Sequence, residues 1–108
     1  MKLPVQTAIA RRKVTHYLLV WRREDDKSAF LAKAGYTPDF ADQLLADLRS
    51  QLLPLEAELL DAGEYGDKYL ICGGLRGPNG RVLRVVSVWM IEEATGRAKF
   101  VTLYPDKP

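Results

Sequence analysis

The chain has one cysteine, Cys72, and one histidine, His16, among its 108 residues. A single thiol cannot close an internal disulfide, and one Cys with one His cannot complete a four-ligand zinc site without a partner chain. No apolar run approaches the ~20 residues of a membrane span. The opening MKLPVQTAIARR carries too short an apolar stretch, interrupted by Pro4, Gln6 and Thr7, to serve as a secretory leader. A cytoplasmic address without membrane contact is therefore expected by default. Neither sign of charge dominates, since 16 basic and 14 acidic residues leave a net +2. No cofactor or metal is expected, and no internal repeat or low-complexity tract is visible.

What is there suits one folded domain. Hydrophobic residues make up 47% and charged residues 28%, and a chain of this length buries roughly 60–70% of its unfolded surface. One core accounts for the apolar residues. Residues 1–108 read as a single domain, with a lead-in segment over 1–10, a helical part over 11–53 and a sheet part over 55–104. The charges fall in blocks. Residues 1–23 carry Lys2, Arg11, Arg12, Lys13, Arg22 and Arg23 with no acid; residues 24–63 are acid-rich; the sheet part is basic again through Lys68, Arg76, Arg81, Arg84, Arg97 and Lys99. Such blocks either neutralise each other across the fold or mark a face for a polyanion.

In the helical part, Val14, Tyr17, Leu18 and Trp21 recur at helical spacing, which predicts a helix from Arg11 to about Arg22 with those four inward. Glu24-Asp25-Asp26 makes an acidic break that suits the start of a short second helix over 27–34, ended by Gly35. Thr37, Pro38 and Asp39 mark the start of a third, whose apolar stripe is Phe40, Leu44, Leu45, Leu48 and Leu52. Pro54 is expected to force Leu53 out of the helical region.

The stretch Asp67–Tyr104 is dense in Val, Ile, Leu and aromatics, with Pro78-Asn79-Gly80 and Ala94-Thr95-Gly96 where reversals are needed. It predicts a three-strand antiparallel meander, and a charged edge strand over Leu55–Asp61 brings the sheet to about four strands. Helices first and strands after is an α+β order. The run Gly73 to Gly80 lacks the ending of a phosphate loop and reads as a hairpin, with the paired glycines suggesting a bulge or close approach. Alternation divides the long strand into Leu83, Val85, Ser87, Trp89 and Ile91 on one face and Val82, Arg84, Val86, Val88 and Met90 on the other. The last strand divides into Phe100, Thr102 and Tyr104 against Lys99, Val101 and Leu103. Cys72, inside an apolar strand, is expected as a buried, inert thiol.

His16 is the one side chain whose ordinary pKa lies near neutrality, and so the natural proton carrier; a lone histidine in a basic helical stripe is more often a structural or solvent-exposed residue. Arg84 among valines is paired, snorkels to the rim or holds an anion. The reaction that these residue types could run without a metal is phosphodiester cleavage of RNA, where the substrate's 2′-hydroxyl is the nucleophile and the protein supplies a base, an acid and cations. The candidates are His16, Lys68, Arg84, Thr102 and Tyr104.

The pieces KVTHYLL (13–19), KSAFLAKAGYT (27–37), YGDKYLICGGLRGPNGR (65–81) and VVSVWMIEEATGRAKFVTLYP (85–105) resemble an uncharacterised bacterial domain family found as small stand-alone proteins and as C-terminal modules of polymorphic toxins. The resemblance implies one compact domain and a setting linked to toxins or mobile elements. Its order of elements is similar to that of barnase-like and RelE-like ribonuclease toxins, an analogy of fold alone. Similar sequences carry an acidic or other polar residue at the position of His16, which shifts weight to Lys68, Arg84, Thr102 and Tyr104. Two functions stand side by side. One is a non-catalytic interaction module with a protein partner or a second copy, using the exposed sheet edge. The other is a metal-independent ribonuclease with Lys68 and Arg84 on phosphate, His16 or Tyr104 moving protons and Thr102 orienting RNA.

Overall fold

The computed structural model describes residues 1–24 and 26–107. An α-helical turn, Arg11–Lys13, runs on as a π-helical turn, Val14–Leu18, and the two form α1. Ser28–Ala32 is α2. A 3-10 turn Pro38–Phe40, an α-helix Ala41–Asp47 and a π turn Leu48–Leu52 make α3. The strands β1 (Glu58–Ala62), β2 (Gly66–Arg76), β3 (Val82–Glu92) and β4 (Ala98–Pro105) form one antiparallel sheet in the order β1-β2-β3-β4. The expected α+β arrangement, N-terminal helices packed on a four-stranded antiparallel meander, is the observed one.

Both α1 and α3 close on π turns. The Leu19 N–H donates to the Val14 carbonyl at 3.1 Å and the Leu53 N–H to the Leu48 carbonyl at 3.0 Å, each bond spanning five residues. The wider turn turns an extra residue inward, so Leu18 with Leu19 and Leu52 with Leu53 are buried. It also ends α1 early. Trp21, expected on the inward stripe, lies beyond the helix and is 72% exposed. Leu53 keeps helical angles (φ −52°, ψ −38°) despite Pro54. Its hydrogen bond and burial outweigh the steric bias that a proline places on the residue before it. Phe40 lies in the 3-10 turn and is half-exposed, with full burial beginning at Ala41 and Leu44. The Thr37 hydroxyl makes no capping bond; its carbonyl accepts the Phe40 N–H at 2.8 Å.

The acidic break does start α2, through Asp26; Asp25 lies outside the described residues. The Asp26 carboxylate accepts the Ser28 hydroxyl at 2.7 Å and the N–H groups of Ser28 and Ala29 at 3.3 Å. These bonds, the Ser28 hydroxyl first, hold its carboxyl below the usual aspartate range. Gly35 then ends the segment at φ +91°, a conformation that costs other residues steric strain.

Helices cover one face of the sheet. Leu18, Leu31, Leu44, Leu48 and Leu52 meet Ile71, Leu75, Val85, Trp89 and Leu103 in one cluster, all at zero exposure. Each fully buried leucine contributes roughly 1.5–3 kcal/mol. Trp89 packs edge-on against Phe100, centroids 5.1 Å apart, and donates its indole N–H to Ser87 Oγ at 2.8 Å. The Ser87 hydroxyl passes its own proton to the Ile71 carbonyl at 2.8 Å, so the polar pair inside the core is complete. The register of β2 on β3 runs unbroken through Gly73 and Gly74, so the paired glycines make no bulge. A Cβ at Gly73 would come within 2.6 Å of Leu55 Cδ1, and its absence lets the chain after α3 press onto the strand.

Pro78-Asn79-Gly80 forms the expected hairpin, and its tip docks on the end of α2. Asn79 donates from its side-chain amide to the Lys33 carbonyl at 3.1 Å and from its backbone to the Ala34 carbonyl at 3.2 Å. Those are carbonyls that a helix end otherwise leaves open.

The register shifts elsewhere, between Leu59 and Asp61 in β1 and at a bulge, Val101, in β4. Trp89 pairs with Phe100 and Val88 with Thr102, so Val101 has no partner. Strict alternation groups Phe100 with Thr102 and Tyr104; the extra residue separates them. Phe100 points inward at 2% exposure, while Thr102 and Tyr104 belong to the outer face. The lead-in segment flanks β4, with Ala8 in a parallel bridge to Lys99 through bonds of 2.9 and 2.8 Å. β1 begins at Glu58, later than the expected Leu55. The residue before it, Ala57, exchanges backbone hydrogen bonds with Met1 instead, at 2.7 and 3.2 Å.

Candidate functional site

The outer face of the sheet carries Lys68, Arg84, Thr102 and Tyr104, so four of the five candidates share a face. They do not share a point. Lys68 aligns with Met90, and Arg84 lies further along β3 opposite Gly74. At ~3.3 Å per residue their backbone positions are about 20 Å apart. Thr102 pairs with the helical part, its hydroxyl 3.2 Å from the Tyr17 hydroxyl, and cations of Lys13 and Arg22 lie 5.6 and 5.2 Å from the Tyr17 ring centre. Tyr104 is partly exposed, with Lys27 Nζ 6.0 Å from its ring centre. His16 is exposed on α1, its Nδ1 2.6 Å from the Thr15 hydroxyl.

Cys72 also belongs to the outer face and is exposed, contrary to the buried thiol that its apolar neighbours suggested. Neighbours along the strand share its hydrophobicity but point to the opposite face. Partial desolvation, then the carboxylates of Asp106 and Glu58, push the thiol's pKa up against the opposing charge of Arg84. It is accessible yet poorly nucleophilic.

Where α1 and the lead-in segment meet the outer face, they line a half-open pocket of about 430 Å³. Lys13, Lys68 and Lys99 stand around it, and Met90 and Val101 supply much of its apolar wall. The register explains the convergence: Lys68, Met90 and Lys99 are cross-strand partners in one row. The bulge adds Val101 to the same face. Lys99 Nζ is 3.6 Å from a Glu92 carboxylate oxygen; among the described residues no carboxylate lies within 4 Å of Lys13 Nζ or Lys68 Nζ. The two charge blocks of the sequence meet in the exposed pair Arg11–Asp42, while within this row Glu92 pairs with Lys99 and Asp61 lies across from Lys68 in the register. Of the cavity's cations only Lys68 was singled out from sequence. Lys13, Lys99, Met90 and Val101 were missed, although counting outward from the two hairpin turns pairs Lys68 with Met90 and Met90 with Lys99.

The free edge of the sheet is the second exposed feature. All five residues of β1 are exposed, Leu59 at 59% and Leu60 at 54%, and Tyr65 in the following turn is exposed as well. Glu58, Asp61 and Glu64 make that edge acidic. Beyond β1 the edge of β2 is closed by Gln51, whose side-chain amide accepts the Arg76 N–H at 2.7 Å and donates to its carbonyl at 3.0 Å, as a neighbouring strand would. Tyr36 locks that corner, its hydroxyl 2.5 Å from Asp47 and 2.9 Å from the Arg76 carbonyl. Burial, then the Asp47 carboxylate, push the Tyr36 phenol far above its ordinary range, so it is a structural donor.

Among the described residues no group of three His, Cys, Asp or Glu side chains is placed to hold a metal ion, and no helix is long and apolar enough to cross a membrane. Fold and surface together define a helix-backed antiparallel-sheet domain with a cationic outer face and an acidic, unpaired edge. The chain belongs to DUF6883, a family described as a domain of unknown function, whose profile matches residues 3–107. Neither a curated protein nor a solved structure matches it.

Proposed function

We propose that this chain works as one domain, a non-catalytic cytoplasmic interaction module that takes an extended segment of a partner protein onto the edge of β1. The observation that carries this reading is that β1 is paired on one side only and exposed at every position. An unpaired strand edge offers a row of backbone donors and acceptors to any extended chain, and side chains decide which chain is accepted. Here Leu59 and Leu60 favour apolar neighbours, while Glu58 and Asp61 favour a basic segment that alternates lysine or arginine with apolar residues. The same charges disfavour a second copy. Antiparallel self-pairing that matches the leucines sets Glu58 against Asp61 of the other chain, and like charges directly opposite destabilise a ladder. The resemblance to modules linked to toxins and mobile elements supports a partner drawn from such a system.

Nuclear magnetic resonance with a synthetic strand of alternating lysine and valine tests this. Amide shifts confined to Glu58–Ala62, absent with the glutamate–valine counterpart and lost in the Glu58→Lys, Asp61→Lys double variant, are the expected result. Shifts elsewhere, or none, reject the module. A stable dimer joined through β1 in light scattering also rejects it and makes the second copy the occupant.

Toxin-type ribonuclease activity is the second reading. The shared outer face of Lys68, Arg84, Thr102 and Tyr104 favours it; the ~20 Å between the backbone positions of the two phosphate-binding candidates works against one reacting phosphate contacting both. RNA left intact by the purified protein in EDTA is the expected outcome. Cleavage that Lys68→Ala abolishes would replace the interaction module by the enzyme.

A further inference from the structure

We infer that the cavity under α1 is a binding site for a small phosphate monoester with an apolar or planar body. Three lysines, Lys13, Lys68 and Lys99, line a half-open pocket whose apolar wall includes Met90, Phe100 and Val101, and its volume of about 430 Å³ falls in the range of small-molecule pockets. Glu92 offsets one of the three cations. Asp61 stands opposite Lys68 across β1–β2 with no ion pair within 4 Å among the described residues, so the cavity keeps a smaller positive excess, centred on Lys13, for the anionic end of a phosphate monoester.

The two halves of the site have different origins. Lys68 and Lys99 come from rows fixed by backbone pairing through Met90, so their separation is set by the sheet and not by flexible loops. Lys13 comes from the first turn of the chain's first helix and faces them from the side. Lysine binds phosphate as a point charge and imposes little geometry, so the charged end specifies an anion and the apolar wall specifies what it is attached to. The regular register places Lys68, Met90 and Lys99 on one face and the bulge adds Val101 to it, and bulges recur beside binding sites because they re-aim side chains. The site lies across β2–β4 and α1, touches the β1 edge through the Asp61–Lys68 pairing, and does not require that the edge take a partner.

Phenyl phosphate is the probe, with phenol and inorganic phosphate as controls, followed by the amide resonances of Lys68, Met90 and Val101. Phenyl phosphate should shift all three, and each control should bind at least about tenfold more weakly, since a point charge or a ring alone forfeits half the contacts. Raising the salt should weaken binding, because the ammoniums are partly exposed and screened. Lys68→Gln and Lys13→Gln should each lower affinity by at least about threefold with an unchanged unfolding midpoint. Shifts outside the cavity, affinity equal to that of inorganic phosphate, or affinity unmoved by both lysine variants would overturn the assignment. Tighter binding of single-stranded RNA that depends on Arg84 as well as Lys68 would overturn it in favour of a polyanion face.

Discussion

The two faces of the same sheet are built to different specifications. On the inner face Val85, Ser87, Trp89 and Leu103 have no exposure, every polar atom is hydrogen-bonded, and α3 presses on the strands. On the outer face Val86 and Val88 are also buried, yet Lys68, Cys72 and Arg84 beside them are exposed. Close packing over-determines the first set, because each side chain has neighbours on all sides that cannot move independently. The second set has solvent on one side and is free to carry charge. Close packing therefore belongs to the inner face, and exposed charge to the outer one.

The largest test of that division is Trp89→Ala. It removes the biggest buried side chain and the partner of Phe100, and should cost about 3–5 kcal/mol in chemical denaturation followed by circular dichroism. A loss below about 1 kcal/mol would mean that the inner face is not sealed. Next comes Ser87→Ala, which strands the Trp89 indole N–H without an acceptor and should cost about 1–3 kcal/mol, although the side chain is small. A neutral result would show that water reaches this bond.

A third test concerns the helices that seal the inner face. The Asp26 carboxyl is held below its ordinary pKa by Ser28, so its contribution is fully present above about pH 4 and is lost as the pH falls through its lower folded value. Thermal unfolding across that acid range should fall less steeply for Asp26→Asn than for the natural chain. Parallel curves would separate Asp26 from acid stability.

The smallest effect belongs to the outer face. Cys72→Ser should change stability by no more than about 0.5 kcal/mol, since the thiol packs against nothing closed. Iodoacetamide should label native Cys72 slowly at neutral pH and faster as the pH rises, without unfolding. Labelling that waits for denaturant would return Cys72 to the core.

Much of the inner face was legible in the residues. Leu83, Val85, Ser87, Trp89 and Ile91 were grouped by alternation alone, and the two hairpin turns by Asn79-Gly80 and Thr95-Gly96. Period and turn chemistry are local, so sequence displays them. The errors come from places where one residue changes the count. The π turns of α1 and α3 brought Leu19 and Leu53 inward and left Trp21 outside. The Val101 bulge parted Phe100 from Thr102. An inserted residue leaves the composition untouched and reverses the orientation of everything beyond it.

The candidate site was legible only as residue types. Lys68, Arg84, Thr102 and Tyr104 were placed together by chemistry, and the fold assigns them one face but different neighbourhoods. Lys68 joins Lys13 and Lys99, Thr102 joins Tyr17, and Tyr104 joins Lys27.

Sequence alone determined the α+β class, the order of the four strands and which apolar residues could seal a core, because these follow from local periodicity, caps and turns. Tertiary structure decided which cations meet and which residues share the cavity. Those depend on sheet register, the bulge at Val101 and the docking of α1, and each is selected by packing between segments far apart in the chain.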